Sequence, residues 1–488
     1  MHKSLVRLFL TASLMLASAG SAWAIKANPR PVAVRLPDGS TLTVRIHGDE
    51  NFNYVTTLDG FLVQRDREGY FRYVRVDEKN ARRVMTAQRV HPNDRRTASE
   101  KELLKTLQPI NRMADAFRLF GPRPELKLKA PEQILNTKKM RRVRASSVAD
   151  ESNYLVIIVE YADGKLNFNT LDFERWLNEP NYSVNGGTGS VKDYYRDNSM
   201  SQFIPHFTVL GPYKLDHEET YYAANNPETG SDDNPEAMVI EAVQKAKAEH
   251  PEINFAKFDN DGDGFMDNVN VIYSGYSEAS SGNPVNMWPH SYNLNATNRA
   301  FQVDGITVNN YAVSAELVGA DGAEMDGIGT FVHEFGHVLG FCDTYDTDSY
   351  NGGIGVDPGD FSLYASGSYN NNSRTPPYLM AFERQQMGWL DLTPVNKAED
   401  VTLLPINQNE ARYIDAQPER DLYTQGGDWF VLENRQKTGW DAYIPAHGLL
   451  VYHYDFTTES IQKYWNVNGP NNNANHRCCL LYTSDAAD

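Results

Sequence analysis

The run from His333 to Asp343 constrains this chain more than any other stretch; it reads His-Glu-Phe-Gly-His-Val-Leu-Gly-Phe-Cys-Asp. On a helix, His333 and His337 are four residues apart and share one face, where two neutral imidazoles bind one zinc ion. Glu334 is next to the first histidine, so its carboxylate can reach a water at the metal. The run predicts a metal-binding helix over residues 328–339 with Glu334 as the catalytic general base.

The residues after His337 predict how a third ligand is reached. Gly340 suits the end of the helix, because glycine adopts the left-handed conformation without steric cost. That turn would bring Asp343 back as an oxygen ligand, and three protein ligands leave a fourth position for water. Cys342 is an alternative ligand, although a buried thiol is its commoner state. The competing interpretation of the whole run is a surface helix with two solvated histidines.

Charge is distributed unevenly along the 488 residues, of which 41% are hydrophobic. Residues 1–150 hold 28 Lys and Arg against 15 Asp and Glu, and the rest hold 18 against 49. The length allows two or three domains with real cores. A basic front part and an acidic remainder would attract each other, although two unrelated surfaces are also possible. Such an acidic body is a poor partner for nucleic acid.

Residues 1–24 have the pattern of a secretory signal peptide. Lys3 and Arg7 are followed by a short apolar run and by the small-x-small site Ala22-Trp23-Ala24. We expect the mature chain to begin at Ile25. No later apolar run is long enough for a transmembrane segment, and the three cysteines make a disulfide framework improbable. The prediction is an exported protein without a transmembrane segment.

The N-terminal third is predicted to form a β-rich segment over residues 25–120. Short alternating runs are separated by turns at Asp38-Gly39, Asp59-Gly60 and Glu68-Gly69, and an amphipathic helix is predicted over 98–120. Residues 121–150 form a linker with a basic cluster at 138–144. We interpret this cluster as a processing site, because proteases cut exposed unstructured segments; a plain solvated linker is the alternative.

Residues 151–395 are assigned to a catalytic domain and 396–488 to a β-rich C-terminal domain. The domain opens with a buried strand at Tyr154–Tyr161, and a strand around Gly305 to Ala315 is predicted to be the sheet edge that pairs with an extended substrate. Two further predictions concern helices and the C-terminal strands. The predicted helices are 191–198 and 235–250, and the C-terminal runs are Val401–Leu404, Trp429–Leu432 and Gly448–Tyr454.

A second metal loop runs from Asp259 to Asp267, where carboxylates alternate as in calcium-binding loops. Asn270 stands where a helix-loop-helix calcium hand has its bidentate glutamate, so we predict a calcium loop that leads into a strand. An acidic turn without metal is the alternative, although close carboxylates repel unless a cation neutralises them. The predicted calcium ligands are Asp259, Asp261, Asp263, the Phe265 carbonyl and Asp267.

The chain from about 154 to 456 resembles the immune inhibitor A-type secreted bacterial metalloproteases. The matching blocks are Leu155–Tyr161, Gly189–Ser199, Phe258–Asp267, Trp288–His290, His333–Asp343, Gly367–Asn371, Arg374–Pro377, Glu433–Arg435 and His447–Leu450. Trp288 and His290 are expected either to line the cleft or to form a packed turn.

The resemblance implies an α+β fold. A metzincin-like zinc protease domain would follow a β-rich pro-segment and precede a β-rich, jelly-roll-like domain. It also implies zinc at His333, His337 and Asp343, structural calcium, and Glu334 as base. Tyr364 stands where the family has a methionine beneath the zinc, and it could pack there or project towards the metal.

The expected function is a secreted zinc-dependent endopeptidase that is monomeric and acts on protein or peptide substrates. Its own pro-segment would be a further partner. A calcium-stabilised secreted binding protein with a vestigial zinc site is the alternative from another class, and a snapalysin-like zinc hydrolase is a third. The end of the chain, Cys478 to Asp488, does not resemble a domain end. We therefore expect an incomplete C-terminal domain, with a short native tail as the alternative.

Overall fold

The computed structural model describes residues 23–77, 79, 82–121, 152–226, 230–347, 357–418, 425–458 and 480–483. The predicted signal peptide up to residue 22, the basic cluster at 138–144 and the cysteines at 478 and 479 lie outside these residues.

An antiparallel sheet of six strands dominates the N-terminal region, after a short strand, β1 (Trp23–Ala24), that joins a different sheet. Neighbours in the chain are neighbours in the sheet. The predicted turns at Gly39, Gly60 and Gly69 are confirmed, each with a positive φ that glycine adopts readily. The six strands are β2 (Val32–Arg35), β3 (Thr41–Gly48), β4 (Asn53–Thr57), β5 (Leu62–Arg65), β6 (Phe71–Asp77) and β7 (Arg82–Arg89).

The helix predicted over 98–120 is wrong in its extent, since two helices form instead: α1 (Ala98–Leu104) and α2 (Met113–Phe120). Pro109 explains the break, because proline lacks an N–H and disfavours a helical residue before it. The Ile110 N–H instead donates to the Gly60 carbonyl, so the connection packs on the β4–β5 turn.

A six-stranded sheet forms the centre of the molecule, in the order β1-β11-β14-β10-β8-β9. Strands β14, β10, β8 and β9 run parallel to one another. At one edge, β11 pairs antiparallel with β14, and β1 pairs antiparallel with β11. A separate small hairpin pairs β12 with β13. These strands are β8 (Asn153–Glu160), β9 (His206–Lys214), β10 (Val269–Tyr276), β11 (His290–Asn293), β12 (Phe301–Val303), β13 (Ile306–Val308) and β14 (Asn310–Leu317).

Helices cover both faces of this sheet, and the predicted helices at 191–198, 235–250 and 328–339 are confirmed to within one residue. Two buried apolar clusters result, one between β8 and α8 and the other between β8 and α6. The helices are α3 (Thr170–Asn178), α4 (Val191–Asn198), α5 (Glu219–Ala223), α6 (Pro235–Glu249), α7 (Glu278–Ser281), α8 (Ile328–Leu339) and α9 (Ala381–Gln386).

The C-terminal region contributes one five-stranded sheet in the described residues. The run Val401–Leu404 is not a strand; the Leu403 carbonyl instead accepts from the Asn434 side chain. The predicted runs near 429 and 448 are confirmed as strands. The sheet contains β15 (Thr393–Pro394), β16 (Ala411–Asp415), β17 (Gly427–Arg435), β18 (Gly448–Phe456) and β19 (Leu480–Thr483).

None of the helices among the described residues combines the length and the apolar character that crossing a bilayer requires.

Candidate metal centre and cleft

Helix α8 is buried along most of its length, from Ile328 to His337, between the central sheet and the first apolar cluster. It ends as predicted at Gly340, whose φ of 106° is left-handed. The Gly340 and Phe341 N–H groups both donate to the Gly336 carbonyl, which completes the reversal of the chain. The segment after the helix therefore turns back towards the histidines.

The three predicted zinc ligands lie close together after this turn. His333 Nε2 lies 3.1 Å from His337 Nε2 and 3.2 Å from Asp343 Oδ1, and the third edge of the triangle is 3.5 Å. Ligand atoms about 2.05 Å from a tetrahedral zinc would be roughly 3.4 Å apart. The observed triangle has this size, so the three residues fit a metal ion of this kind.

The imidazoles are oriented from behind by backbone carbonyls. His333 Nδ1 is 2.9 Å from the Leu363 carbonyl oxygen, and His337 Nδ1 is 2.9 Å from the Phe341 carbonyl oxygen. A carbonyl only accepts hydrogen bonds, so each Nδ1 carries the proton and each Nε2 presents its lone pair to the centre. Glu334 Oε2 is buried and has no hydrogen-bond partner among the described residues, as expected of a carboxylate that faces a reactant.

Burial governs the protonation of the site. It lowers the pKa of His337 to about 4, which favours the neutral form that binds metal. Burial alone would also lower the pKa of His333, but the hydrogen bond and charge of Asp343 outweigh it and raise that pKa. Burial raises the pKa of Glu334 to about 8, although the charge of His333 acts in the opposite direction.

Tyr364 packs beside the two histidines of the metal group, and its hydroxyl lies against α8. Its ring centroid is 5.3 Å from that of His333 and 5.4 Å from that of His337. The hydroxyl presses on α8 at Gly336, where an added Cβ would lie 1.8 Å from it. Gly336 therefore provides the space that a tyrosine needs in this position. Cys342, the alternative ligand, is buried in the first apolar cluster and is not part of the metal group.

The C-terminal sheet supports the segment beside the metal group through Arg435, a buried residue of β17. Its guanidinium donates to the Phe361 carbonyl at 3.4 Å and to the Tyr378 carbonyl at 3.0 Å. Two buried carboxylates, of Glu433 and Asp441, pair with it. Nothing in the local sequence indicates that a residue so far along the chain supports this segment.

Comparison with known families agrees with this geometry. Residues 167–390 match the model of the immune inhibitor A peptidase M6 catalytic domain. Over this region, which we call the M6 domain, the chain is similar to peptidase M6 catalytic domains. This match identifies the domain as that of a metalloendopeptidase and implies a metal at the His333, His337 and Asp343 group.

Two curated relatives match part of the chain. The pre-pro-metalloprotease PrtV of Vibrio cholerae is 28% identical over 203 residues, which is 37% of this chain and 21% of the relative. Immune inhibitor A of Bacillus thuringiensis subsp. alesti is 26% identical over 240 residues, which is 40% of this chain and 33% of the relative. The chain thus spans about a fifth to a third of the curated relatives it matches.

The N-terminal segment crosses the cleft of the M6 domain. Strand β1 pairs with β11, and the Ile25 N–H donates to Glu334 Oε1 at 2.8 Å. Farther along the segment, Lys26 forms an ion pair of 2.9 Å with Asp357. The carboxylate predicted as the general base is therefore covered by residues from the other end of the chain.

The strand that pairs with the N-terminal segment is β11 and not the strand around 305–315. That prediction is wrong because β14 (Asn310–Leu317) lies between β11 and β10. Trp288 and His290 line the cleft: the Trp288 Nε1–H donates to the Ile25 carbonyl at 2.7 Å, and His290 pairs with Ala24. Their place at the cleft depends on the strand order, which periodicity does not show.

The predicted calcium loop directly precedes β10, as expected. Carboxylate oxygens of Asp259, Asp261 and Asp267 approach within 4.8 Å of one another. Asp263 is not in this group; its carboxylate accepts the Phe265 N–H at 2.9 Å. The Phe265 side chain is exposed. The structure thus brings three of the four predicted carboxylates together.

Proposed function

We propose that this protein is an exported zinc-dependent endopeptidase whose metzincin-like M6 domain is covered by its own N-terminal segment until processing. The observation that carries the proposal is the metal-sized triangle of His333, His337 and Asp343 with Glu334 beside it, buried at the base of a cleft that holds an extended chain. Residues 25–120 would then be a pro-segment.

His333, His337 and Asp343 would hold the zinc. When bound, zinc supplies Lewis acidity, which polarises a carbonyl and lowers the pKa of water to about 7. Glu334 accepts a proton from the attacking water and delivers it to the amide nitrogen as the C–N bond breaks. Its 2.8 Å contact with the Ile25 nitrogen supports this second role, because a backbone nitrogen already lies within proton-transfer distance.

The covered cleft supports latency of the unprocessed chain. The pro-segment contacts the cleft through Ile25, which bonds to Glu334 and Trp288, and through the ion pair of Lys26 with Asp357. A substrate can therefore bind only after the N-terminal segment has left the cleft. Cleavage in the basic linker 121–150 would leave the N-terminal sheet bound to the M6 domain by noncovalent contacts alone, so that it could dissociate. The Vibrio relative is itself named a pre-pro-metalloprotease.

We also propose calcium at the loop of Asp259, Asp261, Asp263, the Phe265 carbonyl and Asp267. Asp259 already accepts N–H groups of its own loop, from Gly262 and Gly264, so the carboxylate is held in place before a cation arrives. The loop is joined to β8 through Asn260, whose side chain accepts the Asn153 N–H at 2.8 Å. A bound cation would therefore stabilise the start of the central sheet.

The test is casein hydrolysis by the processed and the unprocessed protein, with and without a zinc chelator. We expect activity only in processed, zinc-loaded protein. Glu334→Gln should abolish it while zinc stays bound, and Glu249→Gln, at an exposed residue of α6, serves as the matched control. Zinc-loaded, processed protein without hydrolytic activity would instead favour a binding protein with a vestigial site. Monomeric state remains a prediction, which sedimentation would test.

A further inference from the structure

The first residues of the N-terminal segment lie in the cleft as a cleavage product would. The Ile25 nitrogen donates to Glu334, the carboxylate that would protonate the nitrogen of the broken bond, and the chain continues away from it. Ile25 therefore stands for the first residue after the bond that is cut, and Lys26 stands for the second. The atoms involved belong to Ile25 and to later residues, so a chain that begins at Ile25 keeps them.

Two side-chain donors fix the path of this part of the segment. The Ile25 carbonyl accepts from Trp288 and the Lys26 carbonyl from the Tyr369 hydroxyl, each at 2.7 Å. Ile25 is fully buried and Lys26 is partly exposed, as expected of an extended chain whose successive side chains point to opposite sides. The side chain of the second residue is thus held in one direction.

The Lys26 ammonium occupies a site that the M6 domain provides. Its Nζ is 2.9 Å from Asp357 Oδ2 and 5.7 Å from the centroid of the Tyr345 ring, a distance typical of a cation–π contact. Asp357 is held in place, because its other oxygen accepts the Gly359 N–H at 2.8 Å. The side chains of Lys26 and Asp357 are 25% and 20% exposed, so solvent screens their ion pair only in part.

A second carboxylate, of Asp360, lies three residues farther along the chain. Among the described residues, Asp357 and Asp360 form ion pairs only with Lys26 and Arg30, which both belong to the N-terminal segment. Burial raises the pKa of Asp360, although the charges of Arg30 and Lys26 act in the opposite direction. Departure of the segment therefore leaves two like charges at the cleft, and a cation from a substrate would again neutralise them.

We propose that Asp357 is a specificity-determining residue of the peptidase, which binds a basic side chain at the second position after the bond that is cut. The proposal rests on the proposed function. The substrate side chain takes the place that Lys26 occupies in the unprocessed chain. The alternative is an ion pair that holds only the N-terminal segment. Such an anchor would affect latency and give the processed enzyme no preference at this position.

The experiment measures this preference in processed, zinc-loaded protein with three quenched fluorescent peptides that differ only at the second residue after the cut. That residue is lysine, norleucine (the same carbon chain without the charge) or glutamate, and mass spectrometry confirms which bond is cleaved. Wild type should cleave the lysine peptide with a kcat/KM about tenfold above that of the norleucine peptide, mainly through KM, and the glutamate peptide least well.

The matched variants assign the preference to one carboxylate. Asp357→Asn should bring kcat/KM for the lysine peptide close to that for the norleucine peptide, because the charge that distinguishes the two substrates is lost. Asp357→Glu should keep part of the preference, and Asp391→Asn, at an exposed residue, should keep all of it. Equal kcat/KM values for the two peptides in wild type would overturn the proposal, as would a preference that survives in Asp357→Asn.

A second readout does not require turnover. The peptide Ile-Lys-Ala-Asn, which repeats the start of the segment, is compared with Ile-norleucine-Ala-Asn as a ligand of processed wild type by isothermal titration. We expect the lysine peptide to bind about tenfold more tightly at low salt, and the difference to shrink at high salt. Equal affinities at low salt would overturn the proposal. A wild type that prefers the lysine peptide as a ligand but cleaves none of the substrates would instead contradict the proposed function.

Discussion

The two candidate metal sites differ in how they are built. The His333, His337 and Asp343 group is buried, and its imidazoles are oriented by the carbonyls of Phe341, in the turn after α8, and of Leu363, from another segment. The loop from Asp259 to Asp267 is mostly exposed, and its first carboxylate is held by N–H groups of the loop itself. One site is a product of tertiary packing, and the other is almost a local structure.

This difference separates what each metal would do. A site packed into the core already has its geometry, so a bound ion adds chemistry more than it adds structure. A local loop of like charges gains stability directly when a cation neutralises its carboxylates. The comparison therefore predicts that the first site controls activity and the second controls stability.

An Asp→Asn substitution at each site should give the largest difference in zinc affinity. Asp343→Asn removes a ligand from the buried group, and we expect zinc affinity to fall by about 100-fold or more. Asp267→Asn should leave zinc binding intact, because its carboxylate belongs to the other group. Zinc titration with a competing chelator measures both. Equal losses of zinc affinity would contradict the separation of the two sites.

Processing should change metal exchange at only one site. The N-terminal segment covers Glu334, so the unprocessed chain must open before zinc leaves. We expect the unprocessed chain to release zinc to a chelator about tenfold more slowly than the processed protein, if displacement of the N-terminal segment costs about 1.4 kcal/mol. Calcium release should be the same in both forms. Stopped-flow measurements with a coloured chelator test this, and equally fast zinc release would show that the cover does not protect the site.

Calcium should stabilise the processed M6 domain without affecting its chemistry. At a free concentration about 100 times Kd, one ion contributes about 2.7 kcal/mol, which corresponds to a rise in Tm of roughly 5 to 10 °C. Scanning calorimetry with and without a calcium-selective chelator measures the shift. A Tm that is independent of calcium would favour the acidic turn without metal.

Within the loop, the structure indicates which carboxylates contribute most to calcium binding. Asp267 belongs to the group of close oxygens and is 6% exposed, whereas the Asp263 carboxylate accepts a backbone N–H of its own loop. We expect Asp267→Asn to weaken calcium binding by about tenfold and Asp263→Asn by less, since affinity follows the number of charged ligands. Isothermal titration would measure both. A larger effect at Asp263 would restore the ligand set predicted from sequence alone.

Local patterns predicted much of the fold because they depend on short-range physics. The helix over 328–339 and its left-handed end at Gly340 follow from periodicity and from the conformational freedom of glycine. The split of the helix at 98–120 could have been predicted from Pro109. The edge of the central sheet could not, because β11 joins β14 through strand order, which alternation along a strand does not encode.

The sequence by itself determined which side chains are near one another along the chain, and hence the metal helix, its turn and the acidic loop. Tertiary structure decided which residues from distant parts of the chain lie beside these local features. Tyr345, Trp288 and Tyr369 come from separate segments and meet only on the cleft, and Arg435 reaches the segment beside the metal group from the C-terminal sheet. Hydrogen bonds reach about 3 Å regardless of sequence separation, so the partners of these residues exist only once the sheets have packed.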